Sequence, residues 1–221
     1  MKIRDYYDRA AGERTANYQE SSSWMNALVH RPNERFVRRQ VRRSLRDAQS
    51  IADLGCGTGE HLCGVFPRLE RIFLNDLSSR MLDDTSERMR AEHAGIEVVS
   101  YLGSIETIPA EVRPCEVAIC LGVLNHFQAR PLRDALKTLA RLAERTIVLY
   151  YAHEAFLLAA KVGVTFRRMG IHYGAIERAR VARILDESGF ALIRSTYAFG
   201  LPVLSPLVVQ EFRSKSGARS G

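Results

Sequence analysis

A chain of 221 residues with 46% hydrophobic content can bury one full core but is short for two, so a single domain is expected. The start, MKIRDYYDR, is charged from its second residue, and no apolar run approaches the roughly 18 residues that span a bilayer, which leads to the expectation of a soluble, cytoplasmic protein. The net charge of +7 suits either a nucleic-acid surface or an arginine-rich composition, while Cys56, Cys63, Cys115 and Cys120 lack the C-x-x-C spacing of a zinc ribbon or a thioredoxin-like site.

In chain order, the first strong pattern is 33-NERFVRRQVRRSLRD-47. As a helix it gathers Phe36, Val37, Val41 and Leu45 on one side and leaves Arg35, Arg38, Arg39, Arg42, Arg43 and Arg46 over the rest. Apolar runs at 50–54, 71–74, 97–102, 117–121 and 146–151 each have the length and composition of a buried parallel strand. Between them, 78–93 opens on Ser78, a suitable N-cap, and carries Met81, Leu82, Thr85 and Met89 at helical spacing; 131–142 repeats the pattern with Leu132, Leu136 and Leu139. A last helix is predicted over 177–187 and is stopped by Gly189. Two strands come after it at 191–197 and 207–213, joined by a proline-containing loop. The order predicts an α/β, doubly wound, mostly parallel seven-stranded sheet with a C-terminal antiparallel hairpin edge. One domain would cover 1–213, including a helical amino-terminal segment over 1–46 and a lid insertion over 152–174, and 214-SKSGARSG-221 would be a disordered tail.

The stretch 51-IADLGCGTGEH-61 carries the carboxyl end of the first strand and the turn beyond it, the place at which doubly wound sheets bind ligands. Gly55, Gly57 and Gly59 admit unusual dihedrals and a close approach to the main chain. A dinucleotide fingerprint, G-x-G-x-x-G, would need a small residue where Glu60 stands, and Asp53 just before the turn suits a positively charged ligand better than a pyrophosphate.

The pattern D-x-G-x-G-x-G, made by Asp53, Gly55, Gly57 and Gly59, resembles motif I of the class I S-adenosylmethionine-dependent methyltransferases. The segment 72-IFLNDLSSRML-82 is similar to that family's second strand. The resemblance implies that Asp76, with Leu77 beside it, meets the ribose hydroxyls, since one carboxylate can accept two vicinal O–H donors. In 101-YLGSIETIP-109 the family commonly has Gly-Asp where this chain has Gly103 and Ser104, so Ser104 and Ile105 would border the adenine without the usual acid. In 116-EVAICLGVLNHF-127, Leu121 and Gly122 would pass beside the methionine portion. S-adenosylmethionine is the implied cofactor and S-adenosylhomocysteine its product.

The resemblance implies methyl transfer, and the acceptor is read from what is absent as well as present. The D/N-P-P-Y signature of nucleobase amino methylation is missing after the fourth strand, and Pro114-Cys115 precedes that strand, where a cytosine C5 nucleophile would come after it. No metal-binding cluster stands out. An amino-terminal segment with Tyr6, Tyr7, Tyr18 and Trp24, and the insertion with Arg167, Arg168, His172 and Tyr173, would enclose a small-molecule acceptor methylated at oxygen or nitrogen. His126 is the first candidate for a general base and His153 the second. Two other readings stand beside this one: an RNA or protein methyltransferase that uses the arginine helix, and a cofactor-binding protein without catalysis. The sequence does not indicate an oligomeric state.

Overall fold

The computed structural model describes residues 31–62, 64, 66, 68–155 and 172–216. Helix α1 (Arg31–Leu45) precedes strand β1 (Ser50–Leu54), and then come β2 (Arg71–Asp76), α2 (Ser79–Glu92), β3 (Glu97–Leu102), β4 (Cys115–Leu121), α3 (Ala129–Leu142), β5 (Ala143–Ala152), α4 (Arg178–Glu187), β6 (Phe190–Tyr197) and β7 (Leu207–Ser214). The strands form one seven-stranded sheet in the order β3-β2-β1-β4-β5-β7-β6, parallel except for β7, which runs antiparallel to both β5 and β6. This is the predicted doubly wound sheet with its antiparallel hairpin edge.

Alternation along the central strands divides the core between two faces. Ile51, Ile72, Leu74, Val117, Ile119 and Val148 pack on one side with Val37, Val41 and Leu45 of α1 and Leu82 and Met89 of α2. Ala52, Leu54, Phe73, Ala118, Cys120, Ile147 and Leu149 pack on the other, against Leu132, Leu136 and Leu139 of α3 and Val181, Ile184 and Leu185 of α4. Ser78 caps α2 as expected, its side chain accepting a hydrogen bond from the Met81 N–H. The predicted elements all form, with ends displaced by a few residues: β2 continues to Asp76, β4 begins at Cys115 and β5 covers ten residues.

Two expectations change. Strand 97–102 lies at the sheet edge and is half-exposed rather than buried, which explains why Leu102 is open to solvent. The carboxyl-terminal segment is held through 216: β7 reaches Ser214, the Lys215 N–H donates to Gly189 O at 2.9 Å, and its ammonium pairs with Asp186 at 2.7 Å. The tail beyond 216, the amino-terminal tyrosines and tryptophan, and the insertion from 156 to 171 with Arg167 and Arg168 lie outside the described residues. No helix among the described residues is long and apolar enough to cross a membrane.

Candidate active site

The carboxyl ends of the parallel strands are locked together by their first loop residues. The Gly55 and Cys56 N–H groups donate to Asn75 O at 2.8 and 2.9 Å, Gly103 donates to Asp76 O at 3.0 Å, and Gly122 donates to Tyr150 O at 2.7 Å. Above them lies a cavity of about 500 Å³, a size that suits a small ligand (sites of this kind measure roughly 300–1,000 Å³).

The glycine turn makes its floor. Gly55 has a φ of +74°, and a side-chain carbon there would overlap Val123, so only glycine lets the turn close against the loop after β4. Gly57, with a φ of +54°, meets nothing nearer than Met81 Sδ at 3.9 Å and borders the cavity as bare backbone. Its N–H donates to Asp76 Oδ2 at 2.9 Å and its carbonyl accepts from Thr85 Oγ1 at 2.8 Å, so α2 and the acid of β2 fix the turn from both sides. Asp76 Oδ1 accepts the Ser78 N–H at 2.9 Å. An ionised carboxylate has about four acceptor sites, two on each oxygen, which suits it to take paired hydroxyl donors as well as backbone N–H groups.

Of the sequence-predicted residues, the cavity brings together Gly55, Gly57, Asp76, Leu77, Ser104, Ile105, Leu121 and His126, while Asp53 and Gly59 stand outside the lining. Asp53 is only 3% exposed; burial, with the Asp76 charge added, pushes its carboxyl up to about 8. Ser104 donates its hydroxyl proton to Glu106, which orients Oγ as an acceptor. His126 Nδ1 lies 2.9 Å from the carbonyl of His172, which requires the proton on Nδ1 and puts the imidazole lone pair on Nε2. Tyr173 packs edge-to-face on the His126 ring at 5.3 Å, and its hydroxyl is pushed up to about 12 by burial.

His153 is differently placed. It is fully buried outside the lining, Nε2 faces Ser205 O at 2.9 Å, and Nδ1 accepts the Ala155 N–H at 3.3 Å. Burial and then the Arg178 charge hold it below its ordinary value, so it is a neutral structural imidazole. Cys115 opens β4 at the opposite end of the strand from the cavity and is buried beside Arg71, which agrees with its exclusion as a nucleophile. No group of residues that could hold a metal occurs among those described.

Several lining or supporting residues carry no signal in the sequence. Asn75 bridges to Tyr101 O and Gly103 O through Nδ2, while its buried Oδ1 has no hydrogen-bond partner. Asn33 and Glu34 of α1, Glu60 and His61 of the turn Glu60–Leu62, and Tyr150 of β5 complete the wall near β5. Asn125 lies just behind: its amide donates to Ala152 O (2.8 Å) and Gly174 O (2.7 Å), and its Oδ1 accepts the Ala152 N–H (2.8 Å). The described lining contains four carboxylates, Glu34, Glu60, Asp76 and Glu106, and neither Lys nor Arg.

Comparison with known proteins finds a methyltransferase domain within the chain. Residues 51–145 match the family described as a methyltransferase domain. A magnesium-protoporphyrin O-methyltransferase from Synechocystis is 23% identical over 153 residues; the match covers 66% of this chain and 64% of that protein, under two thirds of its length. Among solved structures, magnesium protoporphyrin IX methyltransferase from Synechocystis with S-adenosylhomocysteine superposes with a TM-score of 0.73 at 17% identity, over 96% of this chain and 98% of the other. The N-methyltransferase NodS of Bradyrhizobium japonicum with the same product gives 0.65 at 15% identity, over 94% and 98%. The 1,6-didemethyltoxoflavin-N1-methyltransferase of Burkholderia thailandensis gives 0.65 at 14%, over 96% and 87%. Residues 51–145 thus match a methyltransferase domain, and the seven-stranded sheet into which they are built has the fold of these solved methyltransferases.

Proposed function

We propose that the protein is an S-adenosylmethionine-dependent methyltransferase that methylates an oxygen or nitrogen of a small-molecule acceptor. The observation that carries this reading is the cavity itself: about 500 Å³, rich in carboxylates and without a described Lys or Arg, it suits a cationic cofactor and a compact acceptor and repels a phosphate backbone. The solved relatives that act on magnesium protoporphyrin IX and on 1,6-didemethyltoxoflavin point the same way.

The residues present fit S-adenosylmethionine. Asp76 would accept from the ribose hydroxyls, Ser104 Oγ would accept from an adenine amino group, Ile105 and Leu77 would border the base, and bare Gly57 would admit the amino-acid portion beside Gly55 and Leu121. Asn75 Oδ1, buried without a partner, is one more acceptor at the same end. Asp53 and Gly59 support the turn from behind rather than touching the ligand. When bound, the cofactor supplies a methyl group already activated on a sulfonium sulfur. The protein's part is alignment and exclusion of water by Leu121, Val123, Phe127 and Tyr150, together with removal of the acceptor's proton. His126 takes that proton on Nε2, the nitrogen that its contact with His172 leaves basic.

The test is transfer of labelled methyl groups into separated small-molecule, RNA and protein fractions, with His126→Ala alongside. Label in the small-molecule fraction is expected, and the variant should lose on the order of a hundredfold in kcat while binding S-adenosylhomocysteine normally. Label confined to RNA or protein would refute the small-molecule reading, and a variant of unchanged kcat would remove His126 from the proton transfer.

A further inference from the structure

The cavity has two ends. Asp76 closes β2, and Tyr150 lies near the end of β5; in the order β2-β1-β4-β5 that is three strand spacings, about 14 Å. At the β5 end, α1 packs against the turn Glu60–Leu62, where Arg38 lies 3.8 Å from Glu60. Glu34 stands one helical turn before Arg38, so two lining carboxylates come from facing elements and one of them, Glu60, is paired with an arginine. His61, next in the chain, sets its ring edge-on to Tyr150 with centroids 6.1 Å apart. Asn33 is 4% exposed, lines the same wall, and its Oδ1 has no hydrogen-bond partner.

A buried amide oxygen without a donor, two carboxylates of the described lining and an aromatic ring together call for a positively charged donor. We propose that Asn33, Glu34, Glu60 and Tyr150 form a subsite for a protonated amino group of the methyl acceptor, which is therefore an amine-bearing small molecule. The distance from Asp76 separates this subsite from the nucleoside end, and among the described residues an anionic acceptor would meet the carboxylates of Glu34 and Glu60 there. The proposal rests on the small-molecule reading above and adds the chemical class to it.

The full chain is incubated with methyl-labelled cofactor and a metabolite extract. The labelled product, freed of residual cofactor, is then passed over a cation exchanger in dilute acid, where amines are retained and neutral or acidic compounds run through. Retention is expected. With the purified acceptor, Glu34→Gln and Glu60→Gln should each raise KM about tenfold while the Kd of S-adenosylhomocysteine, which carries an ammonium of its own, stays unchanged. Labelled product in the flow-through overturns the amine assignment and leaves small-molecule methylation standing. A tenfold weaker S-adenosylhomocysteine in both variants assigns the carboxylates to the cofactor and overturns the acceptor subsite. Absence of label from every small-molecule fraction removes the underlying reading and this one with it.

Discussion

Each oxygen of Asp76 already accepts one backbone N–H, from Gly57 and from Ser78, so this side chain both shapes the glycine turn and starts the loop before α2. Replacement by alanine therefore removes two roles at once. Asp76→Ala is expected to weaken S-adenosylhomocysteine binding by about 1.5–3 kcal/mol, the range for hydrogen bonds to a charged group. Calorimetry measures it, with circular dichroism to verify the fold; unchanged affinity would take Asp76 out of the site. Asp53, two residues before Gly55, shows how burial changes a carboxylate's part. In the sequence the two acids look alike, each near the end of a strand, but desolvation pushes the Asp53 carboxyl up to about 8 and the residue stands behind the lining, whereas Asp76 borders the cavity. A one-dimensional pattern gives both residues the same weight because it carries no information on depth.

At the scale of elements, the base of the insertion is stapled where its two ends return to the sheet. Glu154 pairs with Arg178 at 2.9 Å and also accepts the Arg178 N–H at 3.1 Å; burial pushes its carboxyl up, but these bonds outweigh that and hold it below the ordinary range. Asn125 ties the turn after β4 to the end of β5 and to Gly174. Truncation of Asn125 would leave the Ala152 N–H and the Gly174 carbonyl without that partner, while Ala152 O keeps the Ile176 N–H. Asn125→Ala is accordingly expected to destabilise the fold by about 3 kcal/mol, a loss of roughly 6–12 °C in Tm for a domain of this size, measured by differential scanning calorimetry. A Tm within a degree of the parent would mean that water replaces the amide. Strands and helices were legible in the sequence because apolar periodicity is a local property: Val37, Val41 and Leu45 mark α1, and Ile72 to Leu74 mark β2. The glycine turn and Asp76 were legible because a known motif spans them. Asn33, Asn75, Asn125 and Tyr150 were not, since their roles come from a cavity and from contacts that join distant segments, 26 positions apart for Asn75 and Tyr101 and 89 for His61 and Tyr150, and a lone asparagine beside an apolar run reads equally well as a loop residue.

Among the described residues charge is divided by place: net charge is +7, yet the described cavity lining holds four carboxylates and no Lys or Arg. Helix α1 shows the division in one element: Asn33 and Glu34 line the cavity, Val37, Val41 and Leu45 are fully buried against the sheet, and Arg35, Arg39, Arg43 and Arg46 are exposed. If that exposed face only keeps the protein soluble, replacing those four arginines with glutamine should leave S-adenosylhomocysteine affinity, small-molecule turnover and Tm close to those of the parent, because surface substitutions away from special contacts fall within about 0.5 kcal/mol. If it grips phosphates, RNA affinity should drop and its log–log salt slope should flatten by nearly one unit per lost contact. The expected outcome is retained turnover and no salt-dependent RNA binding to lose. A polyanion held on that face would have to reach a methyl group inside a cavity lined with carboxylates, against like-charge repulsion from Glu34, Glu60, Asp76 and Glu106. Loss of RNA methylation in the quadruple variant, with cofactor affinity preserved, would reverse this conclusion and make the arginine face the substrate platform.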